Sequence, residues 1–207
     1  MSAIPLSPFE KKTRDHALVI SIGFLIFLPL GTLTARYLRT FTNRWFWPHA
    51  VVNLLISGPL IFAGWALGNQ ANDFEEGFSP RTNHKSLGTT IMILYIIQFI
   101  LGTIIHYVKI PIPLTGHRPP QNYIHAILGL VILALSTSQI HQGIYTEWPE
   151  ATGNVHPVPQ SAKHSWLALI IVFWALYAIG LGFLPRQYKQ ETAAIKANEQ
   201  GDQIPMS

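Results

Sequence analysis

The chain of 207 residues is 49% hydrophobic and only 12% charged, where an ordinary soluble domain carries about 25%. That deficit excludes a soluble globular protein. The formal net charge of +4 is spread over connecting segments, so it speaks to membrane topology and not to nucleic acid. The chain has no Cys, which removes disulfides, iron–sulfur clusters and thiolate metal sites together.

Five windows contain no Asp, Glu, Lys or Arg: 17–35, 45–72, 86–108, 119–146 and 164–185. A hydrocarbon core of ~30 Å needs about 20 apolar helical residues, so each window predicts a transmembrane helix. The fold class is an all-α membrane protein of five transmembrane helices, a four-helix core plus one C-terminal helix.

In chain order, residues 1–15 are polar, contain Pro5 and Pro8, and are expected to form a flexible tail. No small-residue cleavage site follows the first apolar run, so it is read as a retained span. That span closes on Arg36-Tyr37-Leu38-Arg39, and a tight turn through Asn43-Arg44 leads to the second. The second opens on an aromatic belt, Trp45-Phe46-Trp47-Pro48, of the kind found at membrane interfaces. An acidic loop (Asp73, Glu75, Glu76) precedes the third span, and a Pro-rich connector through Pro111, Pro113 and Pro119-Pro120 precedes the fourth. A second Pro-rich loop, 147–163, leads to the last span, which ends at Leu184-Pro185-Arg186. Residues 16–185 are read as one transmembrane domain and 186–207 as a polar cytoplasmic tail.

Orientation follows from the basic residues at each end. The end holding the N-terminus, here end A, carries Lys11, Lys12, Arg14, Arg81, Lys85 and Lys163 beside seven acids. End B carries Arg36, Arg39, Arg44, Lys109, Arg118, Arg186, Lys189 and Lys196. End B is therefore expected to be cytoplasmic and the N-terminus non-cytoplasmic.

Nine His in so uncharged a chain are the unusual feature. His16, His49, His84 and His125 each open one of the first four spans. Successive spans alternate in direction, so His16 and His84 fall near end A and His49 and His125 near end B. Two imidazole pairs at two heights are what two bis-histidine haems require. An iron with both axial positions filled passes electrons instead of binding substrate. Gly88 and Gly129 each follow a His by one turn and are expected to make room for the porphyrin.

The remaining His are read individually. His141 is rotated roughly 160° from His125 and is a poor ligand. His106 lies only about 40° off the face of His84, and stays open as a replacement ligand or as lining of the end B entrance. His117 and His156 fall in loops and are expected to be solvated, although His156 is also placed near the end A acceptor. His164 opens the last span.

These residues resemble a known family. His16, Pro29-Leu30-Gly31, Ala35-Arg36-Tyr37-Leu38-Arg39, Trp45-Phe46-Trp47-Pro48-His49, His84-Lys85-Ser86-Leu87-Gly88, Gln98 and Asn122-Tyr123-Ile124-His125 through Gly129 are similar to the cytochrome b561 family. The branch is the one whose haem domain is often fused to a DOMON domain, which is not seen here. The resemblance implies two haem b groups, with His16 and His84 ligating the non-cytoplasmic iron and His49 and His125 the cytoplasmic one. It also implies electron transfer from cytosolic ascorbate to monodehydroascorbate or ferric iron, an ascorbate-dependent, ferrireductase-like oxidoreductase. His16-Ala17 and His125-Ala126 depart from the family's His-Gly and doubled His, and the family's first helix is absent.

The candidate cytoplasmic donor site is Arg36, Tyr37, Arg39, Arg44 and Arg118, a surface for an anion. The candidate acceptor site comprises Arg81, Lys85 and His164. Phe24, Phe27, Tyr95 and Phe99 are expected to keep the path between haems dry. Expected partners are membrane lipid and a small-molecule donor and acceptor, with a homodimer left open and no nucleic acid. Two other readings stand beside this one: a quinone-linked haem anchor subunit of a redox complex, and a haem-free transporter using His for protons.

Overall fold

Proline shapes three of the long helices. Inside a helix it lacks an N–H, and its ring crowds the carbonyl four residues back. Each of the three helices absorbs this in one wide π-type turn ending two residues before the proline: Ile22–Phe27 before Pro29, Val51–Ser57 before Pro59, and Gly143–Glu147 before Pro149. The N–H that follows each turn reaches five residues back, from Leu28 to Gly23 O, Gly58 to Asn53 O and Trp148 to Gly143 O. The helices therefore continue through their prolines with the backbone satisfied, as a bilayer demands.

The structure, a computed structural model, describes residues 4–72, 82–108 and 119–201, the last seven of them by backbone alone. Among these lie α1 (Pro8–Leu38), α2 (Phe46–Asn72), α3 (Asn83–Tyr107), α4 (Pro120–Ala151), α5 (Gln160–Leu181) and α6 (Leu184–Gly201). The first five are long and apolar enough to cross a membrane. The protein is an all-α, multi-pass membrane protein.

The start of α1 departs from the expected flexible tail. Pro8 occupies the first turn and Ser7 caps it: the Glu10 N–H donates to Ser7 Oγ at 3.2 Å, and the Ser7 N–H donates to Glu10 Oε2 at 2.7 Å. This reciprocal capping box starts the helix eight residues ahead of His16. A rule based on charge-free windows misses it, because Lys11, Lys12, Arg14 and Asp15 lie in the helix.

The same Glu10 holds His156, so the expectation of a solvated loop imidazole is corrected. His156 Nδ1 lies 2.6 Å from Glu10 Oε1, and His156 Nε2 lies 3.0 Å from Ile4 O. A carboxylate and a carbonyl only accept, so both ring nitrogens carry protons and the ring is cationic. The hydrogen bond to Glu10, then that to Ile4 O, raises the His156 pKa above its usual value. A raised histidine stabilises the fold fully below its unfolded pKa of about 6.5 and loses that contribution as pH rises through the folded value. Thermal melts of Glu10→Gln against the parent chain should differ at pH 6 and converge in alkaline buffer. A gap that widens with pH contradicts the ion pair.

Small residues set the helix spacing, as they do in bilayers. A Cβ on Gly64 of α2 would lie 2.8 Å from the backbone nitrogen of Ile20, and one on Gly23 would lie 2.9 Å from Ile61 Cγ1. The α1–α2 and α3–α4 pairs then close on a core of Phe24, Leu25, Ile61, Ile91, Met92, Tyr95, Ile132 and Ile140. Helix α5 joins through Phe173 and Tyr177 against Leu133. Outward-facing Leu55, Ile97, Ile127, Ile171 and Ile179 are exposed, the apolar jacket expected against lipid. Of the four side chains expected to line a dry path, Phe24 and Tyr95 are buried in edge contact at 6.1 Å. Phe27 is half-buried, and Phe99 faces outward.

Helix α6 is more than a polar tail. Gln187, almost fully buried, donates from Nε2 to Arg36 O at 2.8 Å and to Thr40 Oγ1 at 2.7 Å. Gln190 donates to Thr40 O, and Glu191 pairs with Arg39. The first turns of α6 are thus docked on the end of α1.

Candidate functional site

Antiparallel threading brings the four span-opening histidines together in two couples. The rings of His16 (α1) and His84 (α3) are 6.5 Å apart, centroid to centroid, with planes at 83°. Those of His49 (α2) and His125 (α4) are 6.4 Å apart at 76°. At 1.5 Å rise per residue, the two levels are separated by roughly 20–25 Å along the bundle.

Two of the rings are fixed by main-chain carbonyls. His16 Nδ1 lies 2.6 Å from Gly64 O, and His49 Nδ1 lies 2.8 Å from Gly31 O. The carbonyl can only accept, so Nδ1 carries the proton in both rings and Nε2 keeps its lone pair for a metal. The other two rings approach the facing helix through glycine: a Cβ on Gly143 would lie 3.3 Å from His84 Cε1, and one on Gly102 would lie 2.9 Å from His125 Cε1. Gly68 serves His16 likewise, at 2.7 Å from Nδ1.

Gly88 and Gly129, expected from their spacing to make room for the porphyrin, each face a glutamine of the neighbouring helix. A Cβ on Gly88 would meet Gln139 Nε2 at 3.0 Å, and one on Gly129 would meet Gln98 Nε2 at 2.9 Å. Each opens space for a glutamine of the neighbouring helix and has no histidine ring within 4 Å. Glycines 31, 64, 68, 102 and 143 were not legible as ring partners. The signal was a shared spacing, with Gly31 and Gly64 equally far beyond His16 and His49, and Gly102 and Gly143 equally far beyond His84 and His125.

His106 is drawn elsewhere. It stacks on Phe46 with centroids 3.4 Å apart and planes 6° from parallel, and its edge meets Trp47. His141 stacks on Tyr145 and leans on Trp166. His164 is exposed, and Lys85 sits in the first turn of α3 with its N–H donating to Thr82 Oγ1.

At end B, the structure separates the expected donor residues. Arg36 Nη2 donates to Tyr177 Oη at 2.6 Å and lies over its ring, while Tyr37 Oη donates to Leu176 O at 2.6 Å. Both tie α1 to α5. Arg39 and Arg44 instead line a groove of about 420 Å³ with Thr40, Asn43, Gln190 and Arg186, the last not among the expected residues. Arg81, Arg118 and His117 lie outside the described residues.

Four antiparallel core spans carrying one imidazole couple toward each end define a class: a multi-pass helical membrane protein with one half-buried histidine pair near each end. The family model for eukaryotic cytochrome b561 matches residues 15–150, and the chain belongs to the cytochrome b561 family. The chain is similar to cytochrome b561 and DOMON domain-containing proteins of Arabidopsis thaliana. It is 25% identical to one over 149 residues, 70% of this chain and 37% of the relative. It is 27% identical to a second over 142 residues, 68% of this chain and 33% of the relative. It thus spans about a third of the length of these relatives. No solved structure matches it.

The family is haem-binding and transfers electrons across membranes, and the couples suit a haem iron. A regular five-membered ring with C–N bonds of about 1.33 Å puts its nitrogen about 1.1 Å from its centroid. With metal–imidazole bonds of about 2 Å on both sides, the centroids of two axial ligands stand about 6.2 Å apart. The observed 6.5 and 6.4 Å match that span. Around them, His84 Nδ1, Gln98 Oε1, Gln139 Oε1 and Asn53 Oδ1 are buried without a hydrogen-bond partner.

Proposed function

We propose that this chain moves single electrons across the membrane through two haem b groups, held by His16 with His84 and by His49 with His125. The ring separations of 6.5 and 6.4 Å carry this reading. Bound haem supplies a one-electron couple with no open coordination position. The chain's own residues do the rest. Gly64 O and Gly31 O hold the tautomers of His16 and His49, and the packed core of Phe24, Ile61, Ile91, Met92 and Tyr95 excludes water between the levels. That dry core favours a carrier over a proton-handling transporter, which needs a polar lumen.

End B is read as cytoplasmic, on its excess of Lys and Arg. In the groove lined by Arg39, Arg44 and Arg186, Arg39 is paired with Glu191, and Arg44 and Arg186 are the guanidinium groups read as meeting an anionic reductant, for which ascorbate is the reading. Arg36 and Tyr37 serve it by holding α1 against α5, and Arg118 belongs to the same end. At end A, Lys85 and His164, with Arg81 assigned there from the sequence, are the residues read as meeting the acceptor, monodehydroascorbate or ferric iron.

Pyridine haemochrome quantitation of the purified protein, with a reduced-minus-oxidised spectrum, tests the core of this. Two b haems per chain are expected, reducible by ascorbate. Haem-free protein overturns the reading, and reduction by quinol alone moves the donor to the membrane phase.

A further inference from the structure

Helices α3 and α4 repeat one pattern, His-x3-Gly-x9-Gln-x3-Gly: His84, Gly88, Gln98 and Gly102 in one, His125, Gly129, Gln139 and Gly143 in the other. Because the helices are antiparallel, each glutamine arrives beside the other helix's histidine. Gln139 Nε2 donates to His84 O at 2.7 Å, and Gln98 Nε2 donates to His125 O at 2.9 Å. Gly88 and Gly129 are what allow the amides in, since a Cβ at either would press on the amide nitrogen. Such a carbonyl already accepts the ordinary helical bond, so the amide engages its second lone pair. A buried amide whose oxygen has no partner is costly. Yet Gln98 Oε1 and Gln139 Oε1 are both buried and unsatisfied, as is His84 Nδ1. An amide oxygen on Gln139 and a ring nitrogen on the His84 it bonds are thus both left over.

The two ligands from α1 and α2 need no such help, because their rings bond directly to Gly64 O and Gly31 O. The α3 and α4 ligands are secured by side chains instead.

We propose that Gln139 and Gln98 are positioning residues for His84 and His125. Each amide pins the ligand's turn from the facing helix, fixes how closely the imidazole meets the iron, and so sets the potential of the haem at its own level. Hydrogen bonds that orient an axial ligand govern its donation to the metal. Loosening the ligand weakens donation, which favours the ferrous form. The inference rests on the ligand assignment under Proposed function.

The test is a spectroelectrochemical titration of the purified haem-loaded protein, with low-temperature EPR of the ferric state. Gln139→Leu should change the ferric-to-ferrous ratio of the His84 haem about tenfold, an upward shift of about 59 mV for one electron. Its EPR signal should move and the other haem should keep both values. Gln98→Leu should do the reverse. His84→Ala and His125→Ala assign the two signals. Where a Leu variant does not fold, the near-isosteric Gln139→Glu or Gln98→Glu decides: a buried carboxylate should lower the same midpoint and spare the other. Variants that keep two haems with both midpoints unchanged, or with both moved alike, overturn the inference while leaving the ligand assignment in place. Absence of haem from the unsubstituted protein overturns both.

Discussion

Purified His84→Ala protein is expected to carry one haem per chain and to lose the centre at end A, while His125→Ala should lose the one at end B. Each haem is proposed to be held by one histidine from each of two helices. A lone remaining imidazole leaves an open iron position and half of the axial binding energy, so the group should dissociate on purification. The other level stands roughly 20–25 Å away along the helices, with Ile61, Ile91 and Ile132 packed between, so it should survive. Haem quantitation and the shape of the reduced band check this. If His106→Ala removes the end B centre and His125→Ala does not, the stacked position of His106 on Phe46 is not its working one.

The second large effect is expected at Gly64. Its Cα faces Ile20 so closely that any Cβ would strike backbone, with Ile20 N at 2.8 Å and Ile20 Cα at 2.9 Å. Backbone does not yield as a side-chain tip would, so α1 and α2 must separate. Overpacking of this kind costs about 1–3 kcal/mol for small insertions, and Gly64→Leu should exceed that range. The same movement stretches the 2.6 Å contact from His16 Nδ1 to Gly64 O, which frees the ring to turn. Gly64→Leu should therefore melt well below the parent chain in detergent and retain less end A haem. Ala63→Leu, one residue away on an exposed face, should behave as the parent does. Equal melting of the two variants would remove the close approach from the account.

The spans and the two couples were legible because they depend on one-dimensional facts: where charges stop, and which end of each span holds a histidine. What was not legible depends on depth and register between helices. The spacing of Gly88 from His84 is a true one-turn relation, but which neighbour fills the gap is decided by α4, and it is Gln139. Gln98 and Gln139 read in one dimension as isolated polar groups in apolar spans; only antiparallel pairing sets each against a ligand's backbone. Arg36 and Tyr37 look like a ligand surface from the sequence, yet the fifth span offers Tyr177 Oη and Leu176 O at the right height. The helical start at Pro8 was hidden by its charges, and His156 by a partner 146 positions away.

The bonds from His16 to Gly64 and from His49 to Gly31 are the same construction seen from opposite faces of the membrane, and α3 and α4 mirror each other in the same way. The carbonyl and glutamine contacts around the proposed ligands are therefore of one kind at both ends, with Gly68 beside His16 and Asn53 beside His49 as the local differences. Under the proposed reading, the polarity of the current is written in the rims, in guanidinium groups at one mouth and whatever docks at the other. Swapping those rims while keeping the helices should yield a wire that runs backwards.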